Sequence, residues 1–147
     1  MDRIQQMGDL ANLNKVVEAE KLMLQLPQIE LKHFDHFSKD IYARELHIPK
    51  GVMLTGKIHK YQNLNILAKG RIKVLVGSEI KEIAAPFVVV SPPGTKRIAL
   101  ALEDCVWITI HGTDEKDVDK IEHQFIAQDE KEYLEFIGQD QLALPGI

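Results

Sequence analysis

Between residues 41 and 111, apolar and polar side chains alternate with a period of two, in short runs broken by turn residues. Successive side chains on a strand point to opposite faces, so this pattern is the signature of a sandwich or barrel of short strands. The expected strands are about 41–48, 52–59, 62–68, 71–76, 79–84, 86–91, 96–103 and 104–111. Pro49-Lys50-Gly51, Gly77-Ser78 and Pro92-Pro93-Gly94 mark the clearest breaks, and Gly77-Ser78 suits a tight hairpin. Eight such strands in about seventy residues match a jelly-roll-like β-barrel.

The flanks read differently. Asp9 is a candidate N-cap, and Leu10, Leu13, Val16, Val17 and Met23 or Leu24 recur at helical spacing, which predicts an amphipathic N-terminal helix ending before Pro27. Its apolar stripe requires a cover, either the barrel wall or a second chain. Residues 28–40 mix His33, Phe34, His36 and Phe37 without a clean period and read as an ordered connection. After His111, Thr113 can cap a helix whose first turn carries Asp114, Glu115 and Asp117 and whose Val118, Ile121 and Phe125 share a face. A second helical piece at about 130–137 ends near Gly138, and 139–147 reads as a loose tail. The chain is therefore expected to be mainly β and one folded domain: an N-terminal helix and connection (1–40), a barrel (41–112) and a C-terminal helical extension (113–147).

A length of 147 residues, 45% of them apolar, suffices for one buried core. The formal charge of −4 gives no general attraction to nucleic acid polymers or anionic lipid, so any anion site must be a local cluster of cations. No run reaches the roughly 18 apolar residues of a membrane span, and the first residues lack a signal layout. The expected location is cytoplasmic. Cys105 is the single cysteine; it lies in an apolar run and reads as a buried packing residue.

Within the barrel region, the run Gly51-x5-Lys57-x-His59-x3-Asn63-x6-Gly70 resembles the first motif of the cupin superfamily of small β-barrels, with its spacing kept. Pro92-x-Gly94, with Arg97 three residues on, resembles the second. The resemblance implies a cupin-like jelly-roll barrel whose metal would be held by histidines and a carboxylate. Here Lys57 and Asn63 stand at two of those positions, Arg97 at the last histidine, Ala101 at the closing asparagine and Pro86 at the leading glycine of the second motif. Only His59 keeps its residue type. Cations repel a metal and attract an anion, so the expectation is a pocket with no metal and no cofactor. The runs Tyr42-Ala43-Arg44-Glu45, Gly56-Lys57-Ile58-His59-Lys60, Pro93-Gly94-Thr95-Lys96-Arg97 and Trp107 to His111 also make the chain resemble small cupin-like proteins of bacteriophages. That implies a place in the host cytoplasm, with sequestration of a host signalling nucleotide or a role in the virion as corresponding functions.

Alternation assigns faces independently of the family. With Lys57 and His59 pointing inward, Met53 and Thr55 do too, and Leu54 and Ile58 point out. The same phase places Asn63, Asn65, Arg97, Ala99 and Ala101 inside, and Leu64, Ile66, Ile98, Leu100 and Leu102 outside. The lumen is thus expected to be polar and roomy, and the apolar exterior to be covered by helices or by a second copy in a homodimer or larger homo-oligomer. Cys105, Trp107, Thr109 and His111 share one face of the last strand. On the lumen side, Trp107 would stack on a ring and His111 would sit at the rim; on the other reading, Trp107 is core and His111 merely ends the strand. Arg44 is either a third cation of the pocket or part of a surface ion pair.

Three functions follow. The first is a non-enzymatic binding protein for a small anionic molecule, a nucleotide, sugar phosphate or carboxylate, gripped by Lys57 and Arg97, with Asn63 and Asn65 reading polar edges. The second is an enzyme. It is either a metal-independent isomerase or epimerase, which the family resemblance casts with His59 or His111 as base and Tyr61 or Tyr42 as acid, or a zinc enzyme through His36, His59 and His111. No buried carboxylate is evident to orient such a histidine. The third is a structural module with a vestigial pocket. His33 and His36 would form a metal pair only on a helix, His47 and His123 read as surface residues, and Lys60, Lys69 and Lys96 would extend a basic rim.

Overall fold

The computed structural model describes residues 3–76 and 79–138. Helix α1 (Arg3–Met23) precedes ten strands, β1 (His33–Ser38), β2 (Ile41–Ile48), β3 (Met53–Thr55), β4 (Ile58–His59), β5 (Asn63–Lys69), β6 (Arg71–Val76), β7 (Glu79–Ala84), β8 (Phe87–Ser91), β9 (Ile98–Ala101) and β10 (Cys105–Gly112). Helix α2 (Val118–Phe125), strand β11 (Ile126–Ala127) and helix α3 (Glu130–Ile137) follow. All pairings are antiparallel: a five-stranded sheet ordered β1-β2-β10-β5-β8, a four-stranded sheet β3-β9-β6-β7, and the short pair β11-β4. Ile48, Leu67 and Cys105 from the first sheet meet Ile72, Val74 and Ala101 from the second in one core, so the two sheets form a barrel. No described helix is long and apolar enough to cross a membrane.

The N-terminal helix begins at Arg3, so Asp9 lies within it and does not cap it. Leu13 and Val16 are buried, and Leu13 packs with Ile58, Ala127 and Tyr133. The stripe thus covers the barrel wall together with α3. Residues 28–40 contain β1, which pairs with β2 along its whole length through a turn at Lys39-Asp40, Asp40 having φ 60°. Its period was hidden because β1 is an edge strand with no buried residue, so no face needed to be apolar.

Three further boundaries differ from expectation. The strand expected at 52–59 divides at Gly56-Lys57, because its halves have different partners: Leu54 opposes Ala99 of β9, whereas Ile58 and His59 oppose Ala127 and Ile126 of β11. The strand expected at 96–103 is limited to Ile98–Ala101. Helix α2 is capped by Asp117, whose carboxylate accepts the amides of Asp119 and Lys120, while Thr113 Oγ1 accepts the Glu115 amide in the preceding loop. Helix α3 does end at Gly138, in the left-handed region at φ 71°. The Gly77-Ser78 turn and the 139–147 tail lie outside the described residues.

Candidate functional site

A cavity of about 350 Å³ lies between the two sheets and beneath α2. Eight residues singled out from the sequence line it: Arg44, Lys57, His59, Asn65, Arg97, Trp107, Thr109 and His111. The ninth, Asn63, is buried beside Asn65. Strand register explains the convergence. On β2 and β10, Arg44 opposes Thr109, Leu46 opposes Trp107 and Tyr42 opposes His111, so these pairs share the inner face of one wall. Arg97, just before β9, enters from the other. Trp107 and His111 therefore face the lumen.

The lumen is not polar throughout. Leu46 and Ile48 of β2, Ile72 and Val74 of β6, and Leu54 of β3 also line it. Leu54 faces in because the chain breaks at Gly56 and the alternation does not run through from His59. Met53 is consequently exposed, and the Thr55 hydroxyl donates outward to Glu20 of α1. Lys96 pairs with the same Glu20 at 2.7 Å, Lys60 with Glu132 at 3.4 Å, and Lys69 is exposed, so none of the three extends the pocket.

Asn65 is a hydrogen-bonding node. Its Nδ2 donates to Asn63 Oδ1 at 2.7 Å and Ser91 Oγ at 2.8 Å, and its Oδ1 accepts from Trp107 Nε1 at 3.2 Å and Thr109 Oγ1 at 2.8 Å. Two donors and two lone pairs are then all in use. Asn65 fixes the orientation of the indole and keeps no free capacity for a ligand.

Two histidines line the cavity side by side. The His59 ring stacks on His111 at 5.4 Å, and His111 stacks on Phe125 of α2 at 4.4 Å. Burial, then the neighbouring His111, Arg97, Lys57 and Arg44, pushes His59 down to about 3, and burial pushes His111 down to about 4. Both imidazoles are neutral at pH 7. His59 Nδ1 is buried and has no hydrogen-bond partner among the described residues.

The cations differ in their partners. Lys57 pairs with Glu122 of α2, a cavity-lining carboxylate that sequence reasoning missed; burial and the nearby Arg44 charge hold the Lys57 ammonium below its usual value. Burial likewise lowers Arg97. Among the described residues, neither Arg44 nor Arg97 has an ion-pair partner. The α2 residues Val118, Ile121 and Phe125, together with His33 of β1, were also missed as lining residues. The shared face of Val118, Ile121 and Phe125 was legible in the sequence, but not its destination.

The donor set does not fit the metal that the cupin resemblance implies. Among the described residues, no three His, Cys, Asp or Glu side chains converge to hold one. The zinc trio of His36, His59 and His111 fails because His36 opposes Ala43 on the outer face of the sheet, where it pairs with Glu45 at 3.0 Å. Tyr61 lies outside the cavity, edge-on to Phe125 and Phe136. Tyr42 lines the cavity, but its hydroxyl donates to Asp35 at 2.5 Å, and burial and that carboxylate raise it above its ordinary value. Of the remaining histidines, His47 pairs with Glu45 at 2.5 Å and His123 with the Asp119 carbonyl at 2.9 Å.

No family model matches the chain, and no curated protein does. Solved structures do resemble it. The KdgF protein from Halomonas sp. is 17% identical with a TM-score of 0.50, covering 63% of this chain and 90% of that one. An uncharacterized conserved protein with a double-stranded β-helix domain from Klebsiella pneumoniae subsp. pneumoniae is 13% identical, also at 0.50, covering 63% and 85%. An RmlC-like cupin from Shewanella frigidimarina is 19% identical at 0.49, covering 60% and 80%. None bears on the bacteriophage resemblance, and at these identities the likeness concerns architecture. The chain has the double-stranded β-helix fold of these structures.

Proposed function

We propose that this chain is a binding protein that holds a small organic anion in its barrel without a metal. One observation carries the reading: Arg44 and Arg97 enter the same cavity from opposite sheets, and neither has a carboxylate partner among the described residues. An unpaired charge in a partly enclosed site is costly, and an anion bridging the two guanidiniums offsets that cost with charge-assisted hydrogen bonds. Acid–base catalysis is less well supported. A general base works best with a pKa near the operating pH, whereas His59 and His111 are held at about 3 and about 4. The reading includes a homo-oligomer. Strand β8 ends its sheet, and Val88 and Val90 on it are 60% and 59% exposed.

A thermal-shift panel of carboxylates and phosphates tests the proposal. At least one anion is expected to raise the Tm of the wild type, and Arg97→Ala to weaken it about 10- to 100-fold. A flat panel, or equal shifts in the variant, sinks the reading. Glu122 supplies a second check, because it competes with the anion for Lys57. Titration calorimetry at low salt should find Glu122→Gln binding the same anion about two- to fivefold more tightly, the range expected for a half-exposed ion pair. Unchanged or weaker binding would remove Lys57 from the site.

A further inference from the structure

We infer that the ligand is an apolar-bodied organic acid, its anionic head between Arg44 and Arg97 and its body on the cavity floor. This rests on the anion-binding reading above and narrows it. Both walls change from polar to apolar in the same direction. Along β2 the inward residues run Arg44, Leu46, Ile48; across β9 they run Arg97, Ala99, Ala101. Ile48 and Ala101 belong to the same buried core, and Leu46 and Ala99 pack against it, so the two gradients converge. At about 3.4 Å per residue, the floor beneath Arg44 lies roughly 7 to 14 Å along the strand.

Below the arginine layer, nearly all hydrogen-bonding capacity is already spent: the polar side chain at the level of Leu46 on β1 is His33, whose Nε2 pairs with Asp35 at 3.5 Å. Leu46, Ile48, Leu54, Ile72 and Val74 have no polar side-chain atoms, and the Trp107 N–H is donated to Asn65, whose own amide is saturated. Sugar hydroxyls or the edge of a nucleobase placed there would lose their water without gaining partners. A hydrocarbon chain or phenyl ring loses nothing, and the Trp107 side chain lines the same space. The volume of about 350 Å³ accommodates roughly a dozen water-sized groups, at about 30 Å³ each. That is the size of an octanoate or a phenylbutanoate. Nucleotides and sugar phosphates, which match the cations equally well, do not match the floor.

The test is a calorimetric series on the unmodified protein: acetate, butanoate, hexanoate and octanoate, with octanamide as the neutral control and inorganic phosphate, AMP and glucose 6-phosphate as polar anions. Each methylene that enters the floor is expected to tighten binding by about three- to fourfold, with octanamide at least tenfold weaker than octanoate. The inference is overturned if phosphate, AMP or glucose 6-phosphate binds more tightly than octanoate, if affinity is independent of chain length, or if octanamide equals octanoate. In each of those cases an anion-binding cavity can still stand. If none of the anions binds, the anion-binding reading itself falls, and the inference with it.

Discussion

Lowering the pH from 7 to 4.5 is expected to remove up to about 5 kcal/mol of folding stability, through two histidines. In the folded barrel, His59 and His111 are pushed down to about 3 and about 4, against an ordinary value of 6.5. A depressed histidine prefers the neutral form when folded, whereas the unfolded chain takes up protons below 6.5. Their stabilising effect is therefore fully present above that value and is lost as pH falls toward the folded pKa. Each ring costs up to about 1.4 kcal/mol per pH unit in that window. The causes are burial under α2 and, for His59 after burial, the adjoining His111, Arg97, Lys57 and Arg44. Burial raises the Glu20 carboxylate, but Lys96 and Thr55 hold it below its ordinary value, so its own loss sets in as the pH approaches 4.5 and continues below it. Urea unfolding at pH 7, 6, 5 and 4.5 measures the effect. A curve flat across that range, or one as steep in a His59→Gln/His111→Gln variant as in the wild type, would rule out these two rings as its source.

The same two histidines mark what was legible in the chain and what was not. Period-two alternation fixed the bounds of β2 and β6 and the inward faces of β5, β9 and β10, because each of those strands has one buried face and so needs an apolar or satisfied set on it, whereas β7 is mostly exposed and its start was set by the Gly77-Ser78 break. It failed at β1, whose residues are mostly exposed, and at Gly56, where a change of pairing partner resets the phase. Cations at the motif positions Lys57 and Arg97 were readable as substitutions. The closing of the cavity by α2 was not, since Glu122 and Phe125 reach Lys57 and His111 only through the tertiary fold. Nor was the role of Asn65. Its partners Ser91, Trp107 and Thr109 come from two other strands, and only their arrangement shows that the amide is saturated. The apolar floor was hidden for a similar reason: Leu46, Ile48, Ile72 and Val74 read simply as strand residues until register brings them under the arginines.

Gly70→Ala is expected to destabilise the barrel by about 3 kcal/mol or more, and Gly51→Ala by about 1 kcal/mol, although both glycines have nearly the same backbone. They close the two ends of the motif-like run, at φ +90° and +85°, and any L-residue there meets the left-handed penalty. Around Gly51 the added Cβ meets nothing within 4 Å, so that penalty is the whole cost. Gly70 joins β5 of one sheet to β6 of the other, and its Cβ would lie 2.4 Å from the Asp104 carbonyl oxygen and 2.8 Å from Cys105 Sγ. Relief requires displacing backbone at the start of β10, where Cys105 is already fixed in the core and bonded to the Arg71 carbonyl at 3.2 Å. The difference between the two urea midpoints, with m unchanged, isolates the steric part from the conformational part. Equal costs would mean that the turn between β9 and β10 yields, and that the spacing from Gly51 to Gly70 is held by strand pairing and not by this close approach.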